Sequence, residues 1–224
     1  MRKPTVDYRQ FRFSKLNTPE FSHLKLLVGW IVYFLLYFLT ENLIPAERCH
    51  VVHCALDDVI PFLEVFVLPY CFWFLLTAVS LLWFLLYDVE GFKRLQVFIM
   101  ITQAVAMLVY ILWPSVQHLR PAAFPRDNFL SHVVAFIYVF DTPTGVCPSL
   151  HVAYSLGMAS CWCKCREVPV WWKVFVVIAT VVISAATAFI KQHSLVDIAA
   201  ALPLGVLAEV LTFHVIFPKK KPGA

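Results

Sequence analysis

Lys191-Gln192-His193-Ser194-Leu195-Val196-Asp197 breaks into a chain that is otherwise mostly apolar, and it stands at the head of the last apolar run, 196–217. Pro148-Ser149-Leu150-His151 stands in the matching place at the head of an earlier run, 149–163. Each cluster puts a histidine where an apolar segment begins, and the later one adds a carboxylate four residues on. Ionisable groups at membrane depth are expensive to hold there, so they mark function by default.

Working outward, composition decides what kind of chain surrounds these clusters. Of 224 residues, 61% are hydrophobic and 14% charged, and the mean hydropathy is +0.77, which excludes an ordinary soluble domain. About 20 apolar residues cross a bilayer as a helix. Runs of that kind lie at 25–44, 66–87, 95–113, 149–163, 170–190 and 196–217. The reading is an all-α polytopic membrane protein with six transmembrane helices in one domain, 25–217. A polar cytoplasmic segment, 1–24, precedes it, with Pro4 and Pro19 and room for one interfacial helix; a basic cytoplasmic tail, 218–224, follows. The lead-in is too polar, and the first run too long, for a signal peptide.

Lys and Arg concentrate at 2–25, 93–94, 164–173 and 219–221, whereas the alternate loops hold Arg48, Arg120, Arg126 and Lys191. By the excess of positive charge on cytoplasmic loops, both termini face the cytoplasm. The net charge of +4 then reflects topology and anionic lipid, with no nucleic acid among the partners. A plasma membrane is the default host. Parity does the rest: the fourth and sixth runs both start on the outer face, so His151 and His193 share one interface with Arg120 and Lys191.

The start of a helix offers free N–H groups and the positive end of its dipole, which suits an anion. Pro148 fits a first turn, and Ser149 can cap the helix or bond an oxyanion. With Arg120 and Lys191 added, the anion expected is a phosphate. His193 and Asp197, four apart, fall on one helix face, so the carboxylate can hold one imidazole nitrogen and leave the other as a nucleophile. His151, from another helix, can give a proton to a departing oxygen and take one from an acceptor. Asp141, in the loop ahead of Ser149, can orient Arg120 or cap the loop, and the structural role is the commoner one for such a residue.

Other polar features read as structural. Cys161, Cys163 and Cys165 lie at a cytoplasmic helix end, where thiols stay reduced and alternate spacing is poor for zinc. Cys49 and Cys54 can form a local bridge if the outer side is oxidising. Acids and histidines at 45–65 match no zinc pattern, and that loop reads as solvated. The longer outer loop, 114–147, has an aromatic stretch at 129–140 suited to lie at the membrane surface as a lid or a lipid-facing shelf.

Pro148-Ser149-Leu150-His151, His193-x3-Asp197 and Arg120-Pro121 together resemble the signatures of the phosphatidic acid phosphatase type 2 superfamily: Pro-Ser-Gly-His, Ser-Arg-x5-His-x3-Asp and Lys-x6-Arg-Pro. The likeness spans roughly residues 57–210. It implies a six-helix membrane bundle in which His193 becomes phosphorylated, Asp197 orients it, His151 protonates the leaving alcohol, and Arg120 and Ser149 bind phosphate oxygens, with no metal and no organic cofactor. Trp113 stands where the first signature has lysine, and Ala186-Thr187 where the third has Ser-Arg; Lys191 offers a replacement cation. Leu150 in the second signature resembles the branch of inositol phosphorylceramide synthase-like and sphingomyelin synthase-like transferases. The activity implied is hydrolysis of a lipid phosphate of the phosphatidic acid or polyprenyl phosphate class. Transfer of the phosphoryl group to a lipid alcohol, or binding and transport without turnover, stay open as alternatives.

Overall fold

Where no water reaches the backbone, every N–H and C=O must be paired within the chain, and the apolar runs do this by coiling into helices. The computed structural model describes residues 3–218, so the basic tail beyond 218 lies outside the described residues. The helices are α1 (Val28–Leu43), α2 (Ala55–Val59), α3 (Val67–Tyr87), α4 (Val89–Leu112), α5 (Phe129–Phe140), α6 (Leu150–Lys164), α7 (Val170–Phe189) and α8 (Leu195–Val210). A π-helical turn, Leu211–Ile216, extends α8. With their flanking turns, α1, α3, α4, α7 and α8 give five helices long and apolar enough to cross a membrane, which is compatible with a multi-pass membrane protein.

The fourth expected run differs. α6 has 15 residues and rises about 22 Å, short of the ~30 Å hydrocarbon layer. Its surroundings explain this: α3, α4, α7 and α8 all pack against it, so α6 forms the centre of the bundle and its composition answers to protein neighbours more than to lipid. Small residues let those neighbours approach. A Cβ on Gly157 would sit 2.5 Å from the Phe98 ring of α4, and one on Gly205 of α8 would sit 2.7 Å from Leu156. Polar side chains tie the same crossings: Trp162 Nε1 donates to Ser80 Oγ at 2.9 Å, Gln103 Nε2 to Tyr154 Oη at 2.8 Å, and Thr180 Oγ1 to the Ser155 carbonyl at 3.1 Å. α1, by contrast, has no buried residue and leans on α4 from the edge.

The loops at 45–65 and 114–147 interlock. β1 (His50–Val51) pairs in parallel with β2 (Ser115–Val116), and Val116 bridges to Thr144. The 45–65 loop is therefore not freely solvated: Asp57 and Glu64 are 2% and 6% exposed because the second loop and the start of α8 supply their partners. Cys54 caps α2, and both it and Cys49 are free thiols. The N-terminal segment forms 3-10 turns at Tyr8–Gln10, Phe13–Lys15 and Ser22–Leu27, pinned where Tyr8 Oη donates to the Leu85 carbonyl at 2.8 Å.

Candidate functional site

The start of α8 is built around one carboxylate. Ser194 is the N-cap and Asp197 the third helical residue, and they form a capping box: Ser194 Oγ accepts the Val196 N–H at 3.1 Å while Asp197 Oδ2 accepts the Ser194 N–H at 3.0 Å. His193 lies just outside the helix, yet its Nδ1 comes within 3.2 Å of the same Asp197 oxygen. The pairing expected from helical i,i+4 spacing thus arises from the cap, with the chain turning back over its own first turn. Donation from Nδ1 to the carboxylate leaves the Nε2 lone pair free, a tautomer assigned from this network.

A second carboxylate braces the same turn. Ser194 Oγ donates to Asp57 Oδ2 at 2.6 Å, and Asp57 also accepts the N–H groups of Leu195 and Cys54, each at 2.8 Å. Burial pushes the Asp57 carboxyl up, but the hydrogen bonds from Ser194, Leu195 and Cys54 outweigh it and hold the group below its usual range.

The start of α6 meets this turn directly, since the Ser149 N–H donates to the Asp197 carbonyl at 3.1 Å. Ser149 follows a cis Cys147–Pro148 bond and is the N-cap of α6; its Oγ is buried without a partner among the described residues. One turn in, His151 Nδ1 lies 3.4 Å from His193 Nε2, with the ring centroids 5.6 Å apart. Trp73 and Tyr70 hold the His151 ring from α3, at centroid distances of 4.4 and 4.7 Å. The Cys147 thiol, pushed up to about 12 by burial and the charge of Asp197, packs behind the carboxylate as an inert group.

Both histidines open into a cavity of about 820 Å³ between α1, α3, α5 and α6. Its polar end is Asp141, Gln192, His151 and His193; the remainder is largely aromatic and aliphatic, including Trp30, Phe74 and Phe136. α5, the expected surface helix, walls one side with its apolar face, and Asn128 caps it by accepting the Ser131 N–H at 3.0 Å.

The expected cations fare differently. The Arg120 guanidinium donates to the Tyr138 carbonyl at 3.0 Å, to Gln192 Oε1 at 2.8 Å and to the Asp141 carbonyl, and lies 4.3 Å over the Tyr138 ring. Burial lowers its pKa, and the nearby Asp141 charge opposes that. Arg120 therefore reaches the edge of the site through Gln192 and does not line the cavity. Lys191 is not brought to the histidines at all. Its backbone is left-handed (φ 55°), which sends its side chain to the other side of the turn from His193. There Nζ donates to the carbonyls of Asp57 and Ile60 at 2.7 and 2.6 Å, facing a separate cleft of about 400 Å³ with His53 and His118. Trp113 stacks on His50 at 5.0 Å, and Thr187 is buried with its Oγ1 on the Ser184 carbonyl, so neither position faces the cavity.

Three partnerships were not foreseen, although Gln192 lies within the polar cluster at 191–197. Asp57 lies 137 residues from Ser194 in the chain, and Tyr70 and Gln192 meet at Asp141 Oδ2, each 2.7 Å away. Asp141 thus lines the site, and its carbonyl accepts from Arg120, the alternative to a simple loop cap. Compared with family models, curated proteins and solved structures, the chain gives no significant match.

Proposed function

We propose that the protein is a membrane phosphoesterase that attacks a lipid phosphate ester with His193 Nε2 at the outer membrane interface. The observation that carries the reading is the position of His193, with Asp197 on one ring nitrogen at 3.2 Å and His151 beside the other at 3.4 Å. Asp197 holds the nucleophile's tautomer and stabilises the positive ring that forms on attack. The His151 Nδ1–H, aimed at the point of reaction, protonates the departing lipid oxygen; the same nitrogen then takes the proton of the acceptor that cleaves the phosphohistidine. Ser149 Oγ, buried without a partner just outside the cavity lining, and the two helix starts are the groups nearest to hand for phosphate oxygens, with Arg120 behind Gln192. This reading keeps six crossings, α6 included, with both termini cytoplasmic.

Transfer to a lipid alcohol in place of water is the second reading. The apolar lining of the cavity favours it, because a lipid acceptor gains binding there and water does not. Rapid quench of the full chain with a radiolabelled lipid phosphate tests the shared mechanism. Acid-labile, base-stable label is expected on the wild type and absent from His193→Ala. Tight lipid binding with no label and no product would replace it with a binding protein, and free phosphate as the sole product beside a lipid alcohol would exclude transfer.

A further inference from the structure

The end of the bundle opposite the histidines holds a cation without a matching acid. His151 lies in the first turn of α6 and Lys164 closes that helix, so Lys164 marks the far end. There the Phe213 ring, in the π-helical turn after α8, takes two cations, with Lys164 Nζ 4.2 Å and the Arg94 guanidinium of α4 6.0 Å from its centroid. The acids within reach are committed elsewhere. Glu209 accepts from Lys164 Nζ and Ser160 Oγ, and Glu90, four residues before Arg94 on the same helix, pairs with Lys93 Nζ at 2.6 Å. Arg94 makes no salt bridge among the described residues, and its Nε is buried without a hydrogen-bond partner there. Thr212, next to Phe213 in the chain, is fully buried with an unpaired Oγ1. A buried donor that stays unpaired costs free energy, so this guanidinium is suited to an acceptor from outside the chain.

The surroundings narrow the kind of acceptor. A guanidinium offers forked donors that match two oxygens of a phosphate. Val210 and Ile216, each three residues from Phe213, are exposed apolar groups, and Val206 and Leu207 continue that exposure along α8. A phosphate carried on an acyl chain can use both features, whereas free phosphate can use only the cation. We infer that this end of the bundle binds an anionic phospholipid, with its phosphate on Arg94 and a chain along α8 and the π-helical turn. An anionic headgroup is favoured over a zwitterionic one, because a headgroup ammonium is brought against Arg94 and Lys164. In the orientation proposed above the lipid belongs to the cytoplasmic leaflet, where anionic lipids concentrate. The inference stands whether or not the histidines react.

The test titrates the full chain in detergent micelles with phosphatidylglycerol and counts bound lipid by native mass spectrometry, with phosphatidylcholine and inorganic phosphate as comparison probes. Phosphatidylglycerol is expected to bind the wild type at least about tenfold more tightly than phosphatidylcholine, and Arg94→Gln to remove most of that preference. Arg94→Lys keeps the charge and loses the fork; it is expected to fall between the two, and it carries the test if the glutamine variant does not fold. Lys93→Gln is the control for charge alone. It removes a neighbouring cation already paired with Glu90, and the preference is expected to change by less than about threefold. Thermal unfolding in phosphatidylcholine micelles checks that each variant is folded. No preference in the wild type, a preference kept in full by Arg94→Lys, or an equal loss in Lys93→Gln and Arg94→Gln overturns the inference, leaving only the general attraction of a basic face for an anionic membrane. Inorganic phosphate bound as tightly as phosphatidylglycerol, with Arg94→Gln abolishing both, overturns the lipid and leaves a soluble anion as the ligand.

Discussion

His193 Nδ1 and the Ser194 N–H converge on one oxygen of Asp197, at 3.2 and 3.0 Å. A single carboxylate therefore caps the last helix and orients the imidazole in front of it, so the proposed nucleophile is aligned by the same oxygen that caps α8. In Asp197→Asn one neutral atom must serve both donors: as the amide oxygen it no longer stabilises a positive imidazole, and as the amide nitrogen it loses the cap and favours the wrong tautomer. Turnover is expected to fall by about 10²–10⁴ with KM little changed, as in the corresponding change of a catalytic triad. His193→Ala is expected to abolish turnover, and a steady-state assay with thermal unfolding as the folding control checks both.

If His151 protonates the leaving oxygen, the need for it depends on how basic that oxygen is. His151→Ala is expected to slow release of an aliphatic alcohol by about 10²–10⁴ yet slow a p-nitrophenyl ester far less, because nitrophenolate leaves without a proton. Equal losses on the two esters would assign His151 to binding.

Asp57 carries a sign that can be checked. Its folded pKa lies below the unfolded value, so its stabilising contribution is full above about pH 4 and is lost as pH falls through the depressed value. Wild-type melting temperature in detergent is expected to drop on acidification below pH 4. Asp57→Asn is expected to be less stable by about 1–3 kcal/mol at pH 7, where a buried donor loses its charged acceptor, and flatter through the acid range.

Gly157 sets the distance between α4 and α6. Gly157→Ala places a methyl 2.5 Å from the Phe98 ring, and overpacking of this kind costs about 1–3 kcal/mol. A lower unfolding temperature with the chemistry retained is the expected result; a larger side chain such as Leu is expected to prevent folding.

The proposed orientation has its own test. In a background free of native thiols, His132→Cys is expected to react with an impermeant maleimide from outside and Lys15→Cys only after permeabilisation. Labelling of both from one side would contradict an odd number of crossings between them.

Much of the helical framework could be read from hydropathy, since long apolar runs such as 66–87 and 170–190 have only one way to satisfy their backbones in lipid. α6 was harder, because a helix wrapped by four others need not be long or uniformly apolar. His151, His193 and Asp197 stood out as polar residues in apolar surroundings, and local spacing brought two of them together. Lys191 was misplaced because spacing says nothing about a left-handed residue, which reverses the direction of a side chain two positions from its neighbour.

Sequence alone determined what depends on short stretches of chain: the apolar runs, the capping Ser194-x2-Asp197, and the pairing of His193 with Asp197. Only the tertiary structure decided which distant groups surround them. It brought His151 to 3.4 Å from His193, fixed Asp57 under Ser194 and Asp141 beside Gln192, and turned Lys191 away. Those contacts come from how helices and loops pack across separations of 42 to 137 residues, and the direction in which a side chain then points is set by backbone torsions and close packing that no residue type encodes by itself.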